Sequence, residues 1–186
     1  MDRKKILAIV GPTGIGKTSL SIRLAKLFDG EIISCDSMQV YKQMNIGTAK
    51  VTEREKEGIP HYLLDEQEYD EPYNVMIFQT KCRDAIQTIQ EKNKLPILCG
   101  GTGLYLKAAL YDYEFEEEQE DTEYTAYLHS LSNEQLVELL KQKDEKALEK
   151  IHPNNRKRVI RALQIAHSGK NKTQREEEQS HEPLYD

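Results

Sequence analysis

No apolar run in this chain of 186 residues comes near the roughly 20 that a bilayer-crossing helix needs, so a helical membrane span is excluded. A secretory leader is not expected either. "MDRKKILAIVG" starts basic, but its apolar stretch is five residues long and runs into a glycine loop, the pattern of a buried first strand. Cysteine is scarce: Cys35, Cys82 and Cys99 are odd in number and lack C-x-x-C spacing. That argues against a disulfide framework or a zinc site, and for reduced thiols in a cytoplasmic protein. Surplus positive charge is missing too. With 26 Lys and Arg against 32 Asp and Glu the net charge is −6, which leaves no broad cationic surface for indiscriminate nucleic-acid binding. Specific binding stays open because charge is unevenly spread: "YEFEEEQEDTEY" at 113–124 is strongly acidic, whereas "NNRKRVIR" at 154–161 carries four positive side chains. There is no internal repeat.

What is present is a phosphate loop. "GPTGIGKT" follows the apolar run "ILAIV" and leads into helical periodicity through Leu20, Leu24 and Leu27 over Thr18 to Phe28. Backbone N–H groups of such a loop converge on phosphate oxygens at a helix N-terminus. Lys17 adds a point charge, and the Thr18 hydroxyl is the usual Mg²⁺ ligand. The candidate phosphate site is therefore Gly11, Pro12, Thr13, Gly14, Ile15, Gly16, Lys17 and Thr18, against the plain alternative of a tight glycine turn. A second loop, "CDSMQVY", ends the strand "GEIIS". Ligands of open α/β sheets bind outside the carboxyl ends of the strands, so Asp36 is aimed into the same crevice. There it could hold Mg²⁺ through water, accept a proton from a bound nucleophile, or merely cap a turn. The third loop, "CGGTGLY" at 99–105, follows the strand "LPIL" and offers the Thr102 hydroxyl and the Gly103 N–H. Alone it is a weak motif; three such loops on one sheet edge mark a site.

The alternation of strands and helices predicts an α/β fold, a P-loop NTPase-like parallel sheet with helices on both faces. "MNIGTAKVTEREKEGIP" reads as loop and short helix, and "HYLL" as a strand. Asn74 to Asn93 reads as a long helix with Val75, Phe78, Cys82, Ile86 and Ile89 on one face, and a further helix begins at Leu104. Beyond about residue 112 the acidic stretch reads as a solvated linker. Ser132 and Gln135 form a capping box that opens a helix through Leu136, Leu139 and Leu140. A last helix runs from near Asn155 to His167, with Val159, Leu163 and Ala166 on one side and Gly169 as its stop. The polar tail is biased towards disorder.

The segments "GPTGIGKT", "DSMQVYKQMNIGTAK", "PHYLLD", "LCGGTGLYL" and "IHPNNRKRVIRAL", in this order, resemble the tRNA dimethylallyltransferases, also called tRNA isopentenyltransferases. The likeness covers nearly the whole chain and weakens across the acidic stretch and the tail. It implies transfer of a dimethylallyl group from dimethylallyl diphosphate to N6 of the adenosine beside a tRNA anticodon, with Mg²⁺ as cofactor. By this resemblance the phosphate loop holds the donor's diphosphate, and Asp36 and Thr102 are the catalytic residues. Asp36, Ser37, Met38, Gln39, Thr102, Lys157, Arg158 and Arg161 contact tRNA, while Arg156 lies outside the matching pattern. Implied too are a catalytic core at 1–112 and a helical insertion at 113–153 that grips the anticodon arm. Residues 154–186 then return to the core, with "HEPLYD" opening a further strand. Family members run well past residue 186, so a piece of a longer, monomeric enzyme is expected. Three rivals remain on residues alone: an ATP-dependent small-molecule kinase, a prenyltransferase of free adenine nucleotides, and an RNA-binding module without turnover.

Overall fold

A computed structural model describes residues 5–45, 47–112, 121–168 and 182–186. The chain divides into two compact units, Met1–Tyr113 with His181–Asp186, and Glu114–Ser180. Among the described residues no helix is long and apolar enough to cross a membrane.

In the first unit the strands β1 (Leu7–Val10), β2 (Gly30–Ser34), β3 (His61–Tyr62) and β4 (Leu95–Gly100) are all parallel, in the order β1-β4-β2-β3. The helices α1 (Lys17–Phe28), α2 (Glu53–Lys56), α3 (Val75–Glu91) and α4 (Gly103–Leu110) fill the connections. Side chains alternate between the faces of a strand. Ile32 and Ile97, paired in register, join Ile22 and Ala25 of α1. Their neighbours Ile33 and Leu98 join Phe78 and Ile86 of α3 and Leu106 of α4 on the opposite face. Both faces are thus covered, as a parallel sheet requires. The Asn74 carboxamide starts α3 by accepting from the N–H groups of Met76 and Ile77, both at 3.0 Å.

The helix expected over Thr18 to Phe28 forms. Its buried positions are Ser21, Ile22 and Ala25; Leu24 packs partly against the same core, and Leu20 and Leu27 are exposed. One expectation needs correction here. The strand "HYLL" stops after Tyr62, because Leu63 takes a left-handed φ of 58°.

Glu31 ties β2 to β3 and to the end of α3. Its side chain is 3% exposed and accepts from the Tyr62 hydroxyl at 2.7 Å and Lys92 Nζ at 3.0 Å, with Lys94 Nζ 3.4 Å away. Burial pushes its pKa up, but the hydrogen bonds from Tyr62 and Lys92 and the adjacent lysine charges outweigh it and hold the carboxyl below its usual value. A folded pKa below the unfolded one means the anion stabilises the fold above the unfolded value. That contribution fades as pH falls through the folded value. Glu31→Gln is expected to cost about 2 kcal/mol at neutral pH. Between about pH 5 and pH 3 the variant should lose less stability than the parent, read from urea midpoints.

The second unit is helical: α5 (Thr122–Ser130), α6 (Asn133–Asp144), α7 (Ala147–Lys150) and α8 (Arg156–His167). Leu128, Leu136, Leu140, Ile151, Val159 and Leu163 form its core. Ser132 and Gln135 make the expected capping box at the start of α6. The stretch expected as linker up to residue 124 instead supplies the first turn of α5, where the Asp121 carboxylate accepts from the Tyr124 N–H at 2.9 Å. A boundary at 153 does not follow the packing either. The apolar stripe of α8 is buried among α5 and α6, so this helix belongs to the helical unit rather than returning to the sheet. Residues 113–120 and the Gly169 stop lie outside the described residues. Nor does "HEPLYD" open a strand among them. It makes one bridge, Tyr111 with Pro183, plus Leu184 N–H to Leu110 O at 2.9 Å and Ile6 N–H to Asp186 O at 2.9 Å.

Candidate functional site

The strand order places β4 between β1 and β2, so the loops leaving these three strands at their carboxyl ends are neighbours. The first loop turns at Gly14 and Gly16, whose φ values of 89° and 87° suit glycine alone. Gly16 caps α1 with no side chain over it, leaving the first N–H groups of the helix open to an anion. Lys17 Nζ folds back and donates to Pro12 O at 2.6 Å, which closes the loop into a ring around its own charge. The Ser21 hydroxyl donates to Thr18 O at 2.8 Å.

The second loop is pinned on both sides of its acid. Asp36 Oδ1 accepts from the N–H groups of Met38 at 2.9 Å and Gln39 at 3.4 Å. None of the described hydrogen bonds goes to its Oδ2. Gln39 is held in turn: its Oε1 accepts from the buried Ser34 hydroxyl at 3.1 Å, and its Nε2 donates to Thr48 O at 2.8 Å. The third loop locks onto the second. Thr102 N–H donates to Cys35 O at 3.3 Å, and Thr102 Oγ1 accepts from the Ser37 N–H at 3.2 Å. Cys35 N–H also donates to Cys99 O at 2.9 Å.

Burial raises the Cys99 thiol pKa, a hydrogen bond with Ser21 and the Lys17 charge lower it, and the Asp36 charge raises it. Burial likewise raises the Tyr105 phenol, with smaller contributions from Tyr41 and Asp36. By strand order and by the contacts between their loops, the segments carrying Lys17, Asp36 and Thr102 lie at one sheet edge. All three cysteines are free. Along α1, a cavity of about 420 Å³ opens beside Thr18 and Ser19; its walls include Arg23, Lys26, Lys50 and Glu57. Among the described residues no three His, Cys, Asp or Glu side chains cluster as a metal cage.

Lys157, Arg158 and Arg161 belong to the helical unit, on the solvent face of α8. Arg156 has a structural role that the sequence left unread. Its guanidinium donates to Asn133 Oδ1 at 3.0 Å and His129 O at 2.9 Å, fastening α8 to α5 and α6. Ser34 is a part of the site's framework that no sequence motif marks, and Ser37, expected as a tRNA contact, fixes Thr102 through its backbone N–H.

The parallel sheet with helices on both faces defines an α/β protein of the P-loop NTPase-like class. Residues 39–186 match the family model described as IPP transferase, and the chain belongs to that family. The tRNA dimethylallyltransferase of Bacillus cytotoxicus is 48% identical over 190 residues, covering 100% of this chain and 60% of the relative. That of Anoxybacillus flavithermus is 49% identical over 183 residues, covering 98% and 59%. A crystal structure of a eukaryotic dimethylallyltransferase acting on tRNA aligns with a TM-score of 0.82 at 37% identity, over 98% of this chain and 46% of that one. The full-length tRNA isopentenylpyrophosphate transferase of Bacillus halodurans aligns with a TM-score of 0.62 at 43% identity, over 91% and 57%. The chain thus spans about three-fifths of the length of the curated relatives it matches.

Proposed function

We propose that this chain carries the catalytic part of a tRNA dimethylallyltransferase, a cytoplasmic and monomeric enzyme. The observation that supports it most is the meeting of the Lys17 loop, the Asp36 carboxylate and Thr102 at one sheet edge, in a chain of the IPP transferase family. The donor is dimethylallyl diphosphate and the acceptor is the adenosine beside the anticodon.

The loop of Gly11 to Thr18 takes the diphosphate. Lys17 leaves Pro12 O for a phosphate oxygen, exchanging a carbonyl partner for an anion. The lone pair of the adenosine N6 forms a bond to C1 of the donor as the C1–O bond breaks, and the electron pair of that bond departs on the diphosphate. The exocyclic amine is a poor nucleophile, because its lone pair is delocalised into the ring. Asp36 Oδ2 orients it and accepts the proton that N6 loses. Lys17 and the loop N–H groups neutralise the charge growing on the leaving group. Thr102, bound to the Ser37 N–H, holds the second and third loops together around the reacting atoms. Magnesium suits this donor set: the Thr18 hydroxyl offers one ligand to an ion that keeps several waters and takes the rest of its shell from phosphates. Bound at Thr18, the ion would withdraw charge from the diphosphate.

The adenosine must leave the anticodon-loop stack to reach Asp36, at a cost of a few kcal/mol. Lys157, Arg158 and Arg161 are assigned to the tRNA phosphates. Lys157→Ala and Arg158→Ala are each expected to raise KM for tRNA and to lower the slope of log affinity against log salt by about one. Titrations at several salt concentrations read this directly. The function itself is tested with the full-length protein, Mg²⁺, labelled dimethylallyl diphosphate and unmodified tRNA. Label entering tRNA supports the proposal. Label entering free adenosine monophosphate instead, or phosphate transfer from ATP without prenylation, overturns it.

A further inference from the structure

Lys50 lies outside the catalytic loops, yet its charge sits inside the protein. Its side chain is 5% exposed, and Nζ donates to Tyr41 O at 2.8 Å and to Asp65 Oδ1 at 2.6 Å. A lysine is buried to this degree only with partners of this kind. Ala49, the residue before it, takes a left-handed φ of 48°, which alanine keeps only where its surroundings fix it. The two acceptors belong to different segments. Tyr41 follows the turn that Asp36 makes with Met38 and Gln39, and Asp65 follows β3. These segments run side by side. Asp65 N–H donates to Gln39 O at 3.2 Å, Glu66 N–H to Val40 O at 2.9 Å and Lys42 N–H to Gln67 O at 2.8 Å, and Tyr41 forms a parallel bridge with Gln67. Gln39 Nε2 also reaches Thr48 O at 2.8 Å, so residues 39–41 are tied to residues 48–50 through both Gln39 and Lys50.

We propose that Lys50 is a positioning residue for prenyl transfer: by joining Tyr41 to Asp65 it fixes the segment that carries Asp36 and holds that carboxylate where the adenosine amine arrives; this rests on the function proposed above. One residue links the acid to the strut. Gln39 N–H donates to Asp36 Oδ1, and Gln39 O accepts from the Asp65 N–H. Drift of residues 38–41 would therefore turn the carboxylate with them. A misplacement of about 1 Å can cost about 10²-fold in rate. Lys42 is the comparison within the same segment. It pairs with Glu68 at 2.6 Å across the same two segments, but these side chains are 47% and 42% exposed. An exposed pair of this kind contributes little. Burial is what distinguishes Lys50. Its rival role is to bind the donor's diphosphate, since it also lines the cavity beside Thr18 and Ser19. Moving Nζ to a phosphate would break its bonds to Tyr41 and Asp65 together, which favours the strut.

The test uses the full-length protein, single-turnover transfer at saturating donor and tRNA, and urea midpoints. Lys50→Met is expected to lower the rate by about 10²-fold, with KM for dimethylallyl diphosphate and binding of inorganic diphosphate at parent values. Lys42→Met should transfer as the parent does. A double-mutant cycle with Asp36→Asn separates positioning from general support. A residue that acts through the acid has nothing to act on once the acid is gone, so Lys50→Met should cost little more in that background. Asp65→Asn removes the counter-charge at a side chain that is 44% exposed, and should lower the rate in the same direction but less far. It carries the test if Lys50→Met does not fold. The proposal is wrong if Asp65→Asn transfers at the parent rate, or if Lys42→Met falls as far as Lys50→Met. It is equally wrong if the loss is undiminished in the Asp36→Asn background. Weaker donor and diphosphate binding at an unchanged transfer rate would also overturn it, since Lys50 would then serve the donor. A parent enzyme that prenylates no tRNA at all would instead overturn the underlying function.

Discussion

Asp36→Asn is expected to lower the rate of prenyl transfer by about 10²–10⁴-fold, the usual contribution of a positioned general base, with little change in KM for either substrate. The two oxygens of Asp36 have different work. Oδ1 is committed to the loop through the N–H groups of Met38 and Gln39. Oδ2 takes part in none of the described hydrogen bonds and is the one left for the adenosine amine. Asparagine keeps a carbonyl oxygen for the two loop N–H groups but cannot take a proton. Asp36→Ala loses both functions, so it should add a rise in KM for tRNA to the fall in rate, as the segment carrying Ser37, Met38 and Gln39 relaxes. Comparing the two variants by single-turnover transfer and by urea midpoint separates chemistry from support. Parent-like transfer by the asparagine variant would remove Asp36 from the proton's path.

Much of this site was legible because its signals are local. The loop from Gly11 to Thr18 needs glycines where φ is left-handed and a lysine at a fixed offset, and both requirements appear in consecutive residues. Strand order was not local. That β4 sits between β1 and β2, letting Thr102 bond to the loop of Asp36, follows from pairings across more than sixty residues. Which stripe of α1 meets the sheet was not local either. Its leucines have helical spacing, but the fully buried positions are Ser21, Ile22 and Ala25, with Leu24 only partly buried beside them. In the helical unit, acidity hid α5: Asp121 and Glu123 look like linker residues, although acids at a helix start are favourable. Arg156 looked like one more surface cation. Its guanidinium is in fact the bracket between three helices, through partners 23 and 27 residues away.

Gly100→Ala is expected to destabilise the protein by about 3 kcal/mol or more, towards the upper end for an overpacked interior. An added Cβ there would strike the carbonyl carbon and oxygen of Cys35 and lie 2.9 Å from its Cα. These are backbone atoms of the adjoining strand segment and cannot rotate aside, so the chains must part. They would part where the site is assembled, since Cys35 O accepts from the Thr102 N–H and Cys35 N–H donates to Cys99 O. Loss of stability and loss of transfer should therefore arrive together. Gly103→Ala, three residues on, is the contrast: its added Cβ meets nothing within 4 Å, and the residue opens α4. Alanine is the better helix former by up to about 1 kcal/mol, so this variant should be neutral or slightly more stable, with activity retained. Urea midpoints and transfer rates for the pair decide the matter. Equal stability of the two variants would mean that β2 and β4 do not pack this closely, and the route by which the sheet holds Asp36 against Thr102 would have to be sought elsewhere.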